Sequence, residues 1–385
     1  YKQVEIFESV CADPYETARA AAEQGQEVAG YMCTYTPVEL LHAAGYLPVR
    51  VLGRAGSITR ADAHLQSFAC SLARSSLDAA LSGALDFLSL IVFSHTCDTL
   101  QNLAEIWKRN FPALTTVTIS TPVRIGDGHE VVFFQQELER LRRLLETERG
   151  SEITDSSISA SIRLYDEHRA MMRRLYALRR ACPDRLSAGR MLSVVLSCFL
   201  MPIEKHRRLL AQLVRDVESA ETTETDARPR VFVVGSLCRS ADYVSAIEDV
   251  GCLVVDDDLC TGSRAFAIEA VPDGDPINRL ARMYLARTPC CAKHRPEFDV
   301  GKDMLERREQ CDADGVIFLL TKFCDPWAFD YPYLRETLEA GGIPSLLLEI
   351  EQHVPPTEQF KTRVGAFVEM LGGSRRVRLE SVGAS

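Results

Sequence analysis

The sequence predicts an α/β fold made of two lobes, each built on a parallel β-sheet, with a helical segment between them. Three observations lead to this prediction. Short apolar runs alternate with helical patterns at both ends of the chain, the middle shows helical patterns with almost no strand signal, and a polar stretch follows that middle part. The length of 385 residues suits two or three domains of ordinary size.

The first 130 residues alternate between the two periodicities. The patterns predict helices at residues 13–26, 37–44, 62–81 and 98–110, and strands at residues 27–32, 47–52, 88–93 and 115–119. The apolar run at 88–93 is typical of a strand that is buried on both faces of a parallel sheet. This β-α-β rhythm predicts an N-terminal α/β lobe over residues 1–130.

The middle of the chain differs from its two ends. Long helical patterns occur at residues 135–147, 156–181, 188–200 and 204–219, and the polar stretch at 221–229 indicates a linker. Strand patterns then resume at residues 230–234, 253–256, 315–320 and 345–349. We therefore predict a helical domain with its linker at 131–228, a C-terminal α/β lobe at 229–385, and two Rossmann-like parallel-sheet lobes in all.

Composition and motifs exclude several functional classes. A net charge of −10 argues against a nucleic-acid partner. The longest apolar run, at 193–203, is too short for a membrane span and contains Pro202. The sequence has no GxxxxGK[ST] motif, so it carries no phosphate-binding loop of that type for ATP. It also has no HExxH motif and no GxSxG motif. His206 stands among Lys205, Arg207 and Arg208, a pattern typical of a solvated helix face.

Thirteen cysteines are the unusual part of the composition. Because the number is odd, complete internal pairing into disulfides is impossible, and no CxxC pair indicates a zinc ribbon. The sequence also opens without a charged-then-apolar secretion signal, so we expect a cytoplasmic location. Inert buried thiols and a soft-metal site in a reducing compartment remain the two interpretations.

Several cysteines follow predicted strands. Cys97 follows the strand at 88–93, Cys324 follows the strand at 315–320, and Cys260 follows the strand at 253–256 in a loop with Ser263 and Arg264. Ligands of open parallel sheets bind beyond the carboxyl ends of the strands, so a cleft between the two lobes is a candidate metal or thiol site. Cys70 falls at or near a predicted helix start.

An ordered set of short motifs adds a resemblance. The motifs are GYMCTYTPVEL at 30–40, AAGYLPV at 43–49, CSLAR at 70–74, FSHTCD at 93–98, DDLCTGSR at 257–264, KFCDP at 322–326, and the tail blocks at 342–349 and 358–363. Together they resemble the 2-hydroxyacyl-CoA dehydratase and benzoyl-CoA reductase family, in order and over nearly the whole chain.

The resemblance implies a cofactor and a reaction. In that family three cysteines bind a [4Fe–4S] cluster, and the matching positions here are Cys70, Cys97 and Cys324. The implied chemistry is one-electron reduction of a CoA thioester to a ketyl radical. The implied partners are an acyl-CoA substrate, a sister subunit or second copy, and a separate ATP-hydrolysing iron–sulfur activator. No nucleic acid or membrane partner is expected.

Additional cysteines leave the cluster type open. Cys33, Cys260 and Cys290 lie in motif-like loops and, with the first three, would supply the six thiolates of a double-cubane [8Fe–9S] cluster known in one branch of the family. Cys291 is left undecided. Ser263 and Arg264 are candidates for contact with CoA. The competing functions are a 2-hydroxyacyl-CoA dehydratase subunit, a benzoyl-CoA reductase subunit or double-cubane reductase, and an electron-transfer or cluster-scaffold protein.

Overall fold

The computed structural model describes residues 1–126, 128–220, 227–268, 271–272 and 274–382. The strands are β1 (Val28–Tyr31), β2 (Leu47–Arg50), β3 (Leu90–His95), β4 (Thr115–Ser120), β5 (Arg230–Gly235), β6 (Leu253–Asp258), β7 (Gly315–Thr321) and β8 (Ser345–Ile350). The first helices are α1 (Lys2–Ala12), α2 (Glu16–Glu23), α3 (Val38–Ala43), α4 (Ser71–Leu81), α5 (Asp98–Asn110), α6 (His129–Arg149) and α7 (Asp155–Ala181). The later helices are α8 (Ala188–Ser197), α9 (Ile203–Ser219), α10 (Ala241–Glu248), α11 (Pro276–Ala286), α12 (Val300–Gln310), α13 (Asp325–Ala340) and α14 (Glu358–Val382).

The strands form two four-stranded sheets in which every pairing is parallel. The first sheet has the order β2-β1-β3-β4 and the second has the order β6-β5-β7-β8, so the two lobes repeat one topology. In each sheet the strand order reverses between the two central strands, because the connections lead outwards from them in opposite directions. Open parallel sheets bind ligands at this switch point. The predicted fold class, two Rossmann-like lobes, is confirmed.

The helical middle of the chain packs between the lobes. One apolar cluster runs from Phe93 of β3 through Met191 of α8 to Val231 of β5. A second cluster joins the opposite face of the first sheet to α6, α7 and α11. Within the described part of the chain, no helix has the length and apolar composition needed to cross a membrane. The predicted linker overlaps residues 221–226, which lie outside the described residues.

Two local predictions were wrong. The helix expected at 62–81 begins at Ser71, because the backbone of Cys70 is extended at the N-cap position (ψ 144°) and only the 3-10 turn Ala61–Ala63 precedes it in that range. The Asp78 carboxylate of α4 accepts the backbone N–H groups of Thr59, Arg60 and Ala61 at 2.7–3.1 Å, which anchors the chain before that turn. His206 was expected on a solvated face but is fully buried. His206 lies on the inward-facing side of α9. Its ring stacks on that of Phe7, with the centroids 4.6 Å apart.

Candidate metal centre

The three principal candidate ligands, Cys70, Cys97 and Cys324, share one local geometry. Each occupies the N-cap position of a helix, before α4, α5 and α13 respectively. Free backbone N–H groups and the positive end of the helix dipole face the residue at such a position. Those amides, from Leu72 and Ala73 in the case of Cys70, lower the thiol pKa against the effect of burial. The arrangement suits thiolates or another anionic group.

Buried hydroxyl groups join the ends of the two central strands at the switch point of each sheet. After β1, the Thr36 hydroxyl lies 2.9 Å from the Ser94 hydroxyl of β3, and both side chains are buried. The second sheet repeats this contact, with Ser236 after β5 lying 2.9 Å from Thr321 of β7. Within each lobe, one such contact therefore joins the ends of the two central strands.

The thiols lie close enough for their charges to interact. Burial is the largest cause that raises the pKa of Cys97 to about 12, and Cys70 and Cys33 raise it further. Burial likewise raises the pKa of Cys324, with contributions from Cys70, Cys260 and Cys97. Without a metal, these side chains are therefore uncharged thiols at neutral pH.

The remaining cysteines of the site lie after β1 (Cys33), after β6 (Cys260) and in the loop after α11 (Cys290 and Cys291). The Cys260 thiol hydrogen-bonds to Cys290, which raises the pKa of Cys260, and the Sγ atoms of Cys290 and Cys291 are 3.7 Å apart. Cys291 also interacts with Cys324. The structure thus gathers all six candidate cysteines, together with Cys291, into one place between the lobes. We call this place the cysteine crevice: Cys33, Cys70, Cys97, Cys260, Cys290, Cys291 and Cys324.

Two buried cations lie beside the cysteine crevice. Arg264 donates from Nη1 to the Cys260 sulfur at 3.5 Å, and its guanidinium lies 5.1 Å from the centre of the Trp327 ring. Lys293 donates from Nζ to the Thr121 carbonyl oxygen at 3.0 Å, and burial lowers its pKa to about 8. Positive charge beside thiols favours their ionised, metal-binding form.

Contact of Arg264 and Ser263 with CoA stays a prediction. Arg264 pairs with the Asp258 carboxylate, and Arg307 donates to the same carboxylate at 2.5 Å. The Ser263 hydroxyl donates to the Asp257 carbonyl oxygen at 2.5 Å and accepts from Arg307 at 2.8 Å. These hydrogen bonds fix the loop that carries Cys260.

The donor set is compatible with the iron–sulfur cluster that the resemblance implies. Among the described residues, no three His, Cys, Asp or Glu side chains converge closely enough to hold one metal ion. Thiolates that bind a cluster attach to different iron atoms, so their sulfurs lie farther apart than ligands of one ion. Soft thiols are the ligands that iron–sulfur clusters use, and the helix N-termini and neighbouring cations here would stabilise the negative charge of such thiolates.

Sequence reasoning found the strand-end cysteines but missed the basic residues. Arg50 and Arg287, both buried, border the crevice from β2 and from the loop after α11. Arg50 lies in the strand predicted at 47–52, and Arg287 lies three residues before Cys290. The spacing of residues in the sequence singles out neither arginine, because the two chain segments that carry them are more than 200 residues apart.

The fold and the crevice define a class: a two-lobed α/β protein with a cysteine-lined site at the switch points of its parallel sheets. The chain belongs to the 2-hydroxyglutaryl-CoA dehydratase, D-component family, whose family model matches residues 33–371. The matched region contains every cysteine of the crevice. The resemblance inferred from the ordered motifs is therefore confirmed.

Three relatives illustrate the range of the family. The chain is 32% identical to the lactoyl-CoA dehydratase subunit beta of Anaerotignum propionicum, with 91% of this chain and 93% of the relative covered. It is 30% identical to the (R)-phenyllactyl-CoA dehydratase beta subunit of Clostridium sporogenes, with 95% and 97% covered. It is 29% identical to a benzoyl-CoA reductase subunit of Thauera aromatica, with 91% and 92% covered. The chain is thus a component of an enzyme of this type.

Proposed function

We propose that this chain is the iron–sulfur subunit of a 2-hydroxyacyl-CoA dehydratase that acts on CoA thioesters by one-electron chemistry. The observation that carries the proposal is the convergence of Cys70, Cys97 and Cys324, each at a helix N-terminus, between the two sheets. Two of the relatives described above are beta subunits of 2-hydroxyacyl-CoA dehydratases, which favours dehydration over reduction.

In this proposal Cys70, Cys97 and Cys324 hold a [4Fe–4S] cluster, which would supply single low-potential electrons to a thioester carbonyl. The helix N-termini stabilise the negative charge of the thiolates, and Arg264 and Lys293 add to that stabilisation. Electrons come from a separate ATP-hydrolysing iron–sulfur activator, in agreement with a sequence that has no P-loop motif. A sister subunit or second copy completes the enzyme, and its location is cytoplasmic.

A second candidate is a benzoyl-CoA reductase subunit or a reductase with a double-cubane [8Fe–9S] cluster. The observation that favours the larger cluster is the position of Cys33, Cys260 and Cys290 in the same crevice as the first three thiols. Cys291 would then be a seventh thiol beside the cluster, with its Sγ atom 3.7 Å from that of Cys290. The relative from Thauera aromatica also keeps the reductase alternative open.

Iron and acid-labile sulfide counts on anaerobically purified protein separate the two cluster types. A [4Fe–4S] cluster predicts about four irons per chain and a double-cubane cluster about eight. Cys97→Ser is expected to lose the iron and the thiolate-to-iron absorption at about 400 nm with either cluster type. Cys33→Ser loses iron only if the cluster is a double cubane. Cys182→Ser, at the C-terminal end of α7, is the matched control and is expected to keep the full complement.

The same samples test the proposal as a whole. Full iron content in Cys70→Ser, Cys97→Ser and Cys324→Ser would reject the ligand assignment. Anaerobic assays with an activator, a sister subunit and a panel of acyl-CoA thioesters then distinguish the reactions. Release of water from 2-hydroxyacyl-CoA supports the dehydratase, and reduction of benzoyl-CoA supports the reductase. A protein that accepts electrons yet turns over no thioester is an electron-transfer or scaffold protein.

A further inference from the structure

A cavity of about 60 Å³ lies in the interior beside the cysteine crevice. Its walls come from β1, β2, α7, α11 and the turn after β6, and they include Tyr31, Arg50, His168, Cys198, Phe266 and Arg287. One water-sized sphere occupies about 10–15 Å³ on this measure, so the cavity has room for about four to six non-hydrogen atoms. That size suits a small organic molecule.

The first cation at this cavity, Arg50, is 2% exposed. Its Nη1 donates to the Cys260 carbonyl oxygen at 3.3 Å, and its guanidinium lies 5.1 Å from the centre of the Phe199 ring. Its Nε is buried and has no hydrogen-bond partner among the described residues. No ion pair joins Arg50 to a carboxylate in the described part of the chain. The guanidinium therefore keeps unused donors and an unbalanced charge.

The second cation, Arg287, is 5% exposed. Its Nη1 donates to the Thr34 carbonyl oxygen, and the guanidinium lies 5.7 Å and 5.3 Å from the ring centres of Tyr35 and Tyr284. Again, no carboxylate among the described residues pairs with it. Neutral carbonyl and aromatic contacts orient this group, and they leave its full charge in the protein interior.

The charges around the cavity do not balance. Arg169, also in the wall, pairs with Glu39 and with Asp166, and Arg279 pairs with the same Asp166. Arg50 and Arg287 pair with no carboxylate among the described residues, which leaves two guanidinium charges unpaired in the cavity wall. A buried charge is unfavourable unless it is paired, so the cavity favours an anionic occupant.

His168 adds a directional hydrogen-bond acceptor to the wall. The His206 Nε2 lies 2.9 Å from the Val194 carbonyl oxygen, so that nitrogen carries the proton. Burial lowers the pKa of His206 to about 4 and lowers the pKa of His168 well below its usual value, so both rings are neutral. The His206 Nδ1 must then accept from the His168 Nε2 at 2.9 Å. This network assigns a free lone pair to the His168 Nδ1.

We propose that this cavity binds a small hydroxycarboxylate anion, with its carboxylate between Arg50 and Arg287 and its hydroxyl donating to His168. Arginine is well suited to the first contact because its planar fork of N–H donors matches a carboxylate. The neutral, oriented histidine favours a ligand with a hydroxyl over one that has the carboxylate alone. The proposal does not depend on the proposed function, because it uses side chains outside the candidate cluster ligands.

Isothermal titration calorimetry on the anaerobically purified protein tests this site with three probes. Glycolate carries both groups, acetate lacks the hydroxyl, and acetamide is a neutral molecule of the size of acetate. The expected order of affinity is glycolate, then acetate at least fivefold weaker, and no detectable binding of acetamide. Arg50→Gln and Arg287→Gln are each expected to weaken glycolate at least tenfold. Arg174→Gln, an exposed arginine of α7, is the matched control and leaves the affinity unchanged.

Iron content and thermal midpoint are measured for every sample. Glycolate binding that is unchanged in both cavity variants, or equal binding of acetamide, overturns the proposal. The absence of glycolate binding to the wild-type protein also overturns it. A loss of iron in Arg50→Gln would then mean that the arginines balance the charge of the cluster instead. Equal affinity for glycolate and acetate rejects the role of His168. The comparison of the three probes uses only the wild-type protein. The test therefore stays decisive even if a substituted protein folds poorly. Protein without iron that still binds glycolate would refute the proposed function and retain this site.

Discussion

The buried carboxylate of Glu39 in α3 connects three helices. It is fully buried and accepts hydrogen bonds from Arg169 Nη1 of α7 at 2.5 Å and from the Tyr284 hydroxyl of α11 at 2.7 Å. Replacing Glu39 by glutamine keeps the shape of the side chain and removes its charge. Arg169, itself 5% exposed at its side chain, then loses its closest anionic partner.

The magnitude follows from the burial of the pair. Two unit charges ~4 Å apart attract each other by about 4 kcal/mol at an effective dielectric constant of ~20. Removing one partner of a buried pair costs about 3–5 kcal/mol in measured cases. Arg169 keeps a 2.6 Å hydrogen bond to Asp166, and glutamine can still accept from Tyr284. We therefore expect the lower end, a loss of about 3 kcal/mol in the free energy of unfolding.

Urea unfolding measures this loss, since urea is uncharged and does not screen the pair. With an m-value of ~3 kcal/mol/M, the expected loss lowers the midpoint by about 1 M. Trp107 and Trp327 are both buried, one in each lobe, so fluorescence reports on both lobes and can be compared with circular dichroism. Coincident transitions justify the two-state treatment.

A matched control is available on the surface. Glu218 of α9 pairs with Arg174 of α7 at 2.7 Å, with side-chain exposures of 37% and 58%. Because solvent screens this pair, Glu218→Gln is expected to cost at most about 1 kcal/mol. The double variant Glu39→Gln with Arg169→Met is expected to recover part of the loss. A Glu39→Gln protein as stable as Glu218→Gln would refute the reasoning.

Three further outcomes are expected. Gly53→Ala should lower stability by about 2–4 kcal/mol, because Gly53 has φ +71° and a Cβ there would lie 1.9 Å from the Ser75 hydroxyl oxygen. Gly25→Ala, with φ +87° and open space, should cost only about 1 kcal/mol, and equal losses would contradict the packing argument. Thr154→Ala removes the side-chain cap of α7 and should cost about 1 kcal/mol by urea titration; an unchanged midpoint would contradict it. Burial lowers the pKa of His206 to about 4, so its contribution to stability is present above ~pH 6.5 and is lost as the pH falls towards 4. His206→Gln should therefore show a shallower loss of stability over that window, and an identical pH profile would exclude this titration.

Much of the fold could be predicted from sequence periodicity. Every strand lies within two or three residues of its expected position, and the helix expected at 98–110 has those bounds in the structure. Apolar runs specify buried parallel strands because both faces of the sheet are covered. Helix α1 was missed, and α4 was predicted too long. The extended backbone of Cys70 sets the start of α4, and periodicity contains no information about that conformation.

The candidate site could likewise be predicted only in part from the sequence. Strand-end position singled out Cys97 and Cys324, because the carboxyl ends of parallel strands are where such sheets bind ligands. The ordered motifs extended the set to Cys70 and to the optional ligands. That Cys33, Cys260, Cys290 and Cys291 face the same crevice depends on how the two lobes pack.

The sequence by itself determined the α/β class, the order of the elements, the family and the candidate ligands, because local periodicity or short motifs indicate each of them. Tertiary structure alone decided which thiols meet, that His206 is buried, and that Arg50 and Arg287 share a cavity without carboxylate partners among the described residues. The physical reason is that burial and charge balance arise from contacts between segments far apart in the chain. Local patterns specify which faces of an element are apolar and leave open which distant side chains those faces meet.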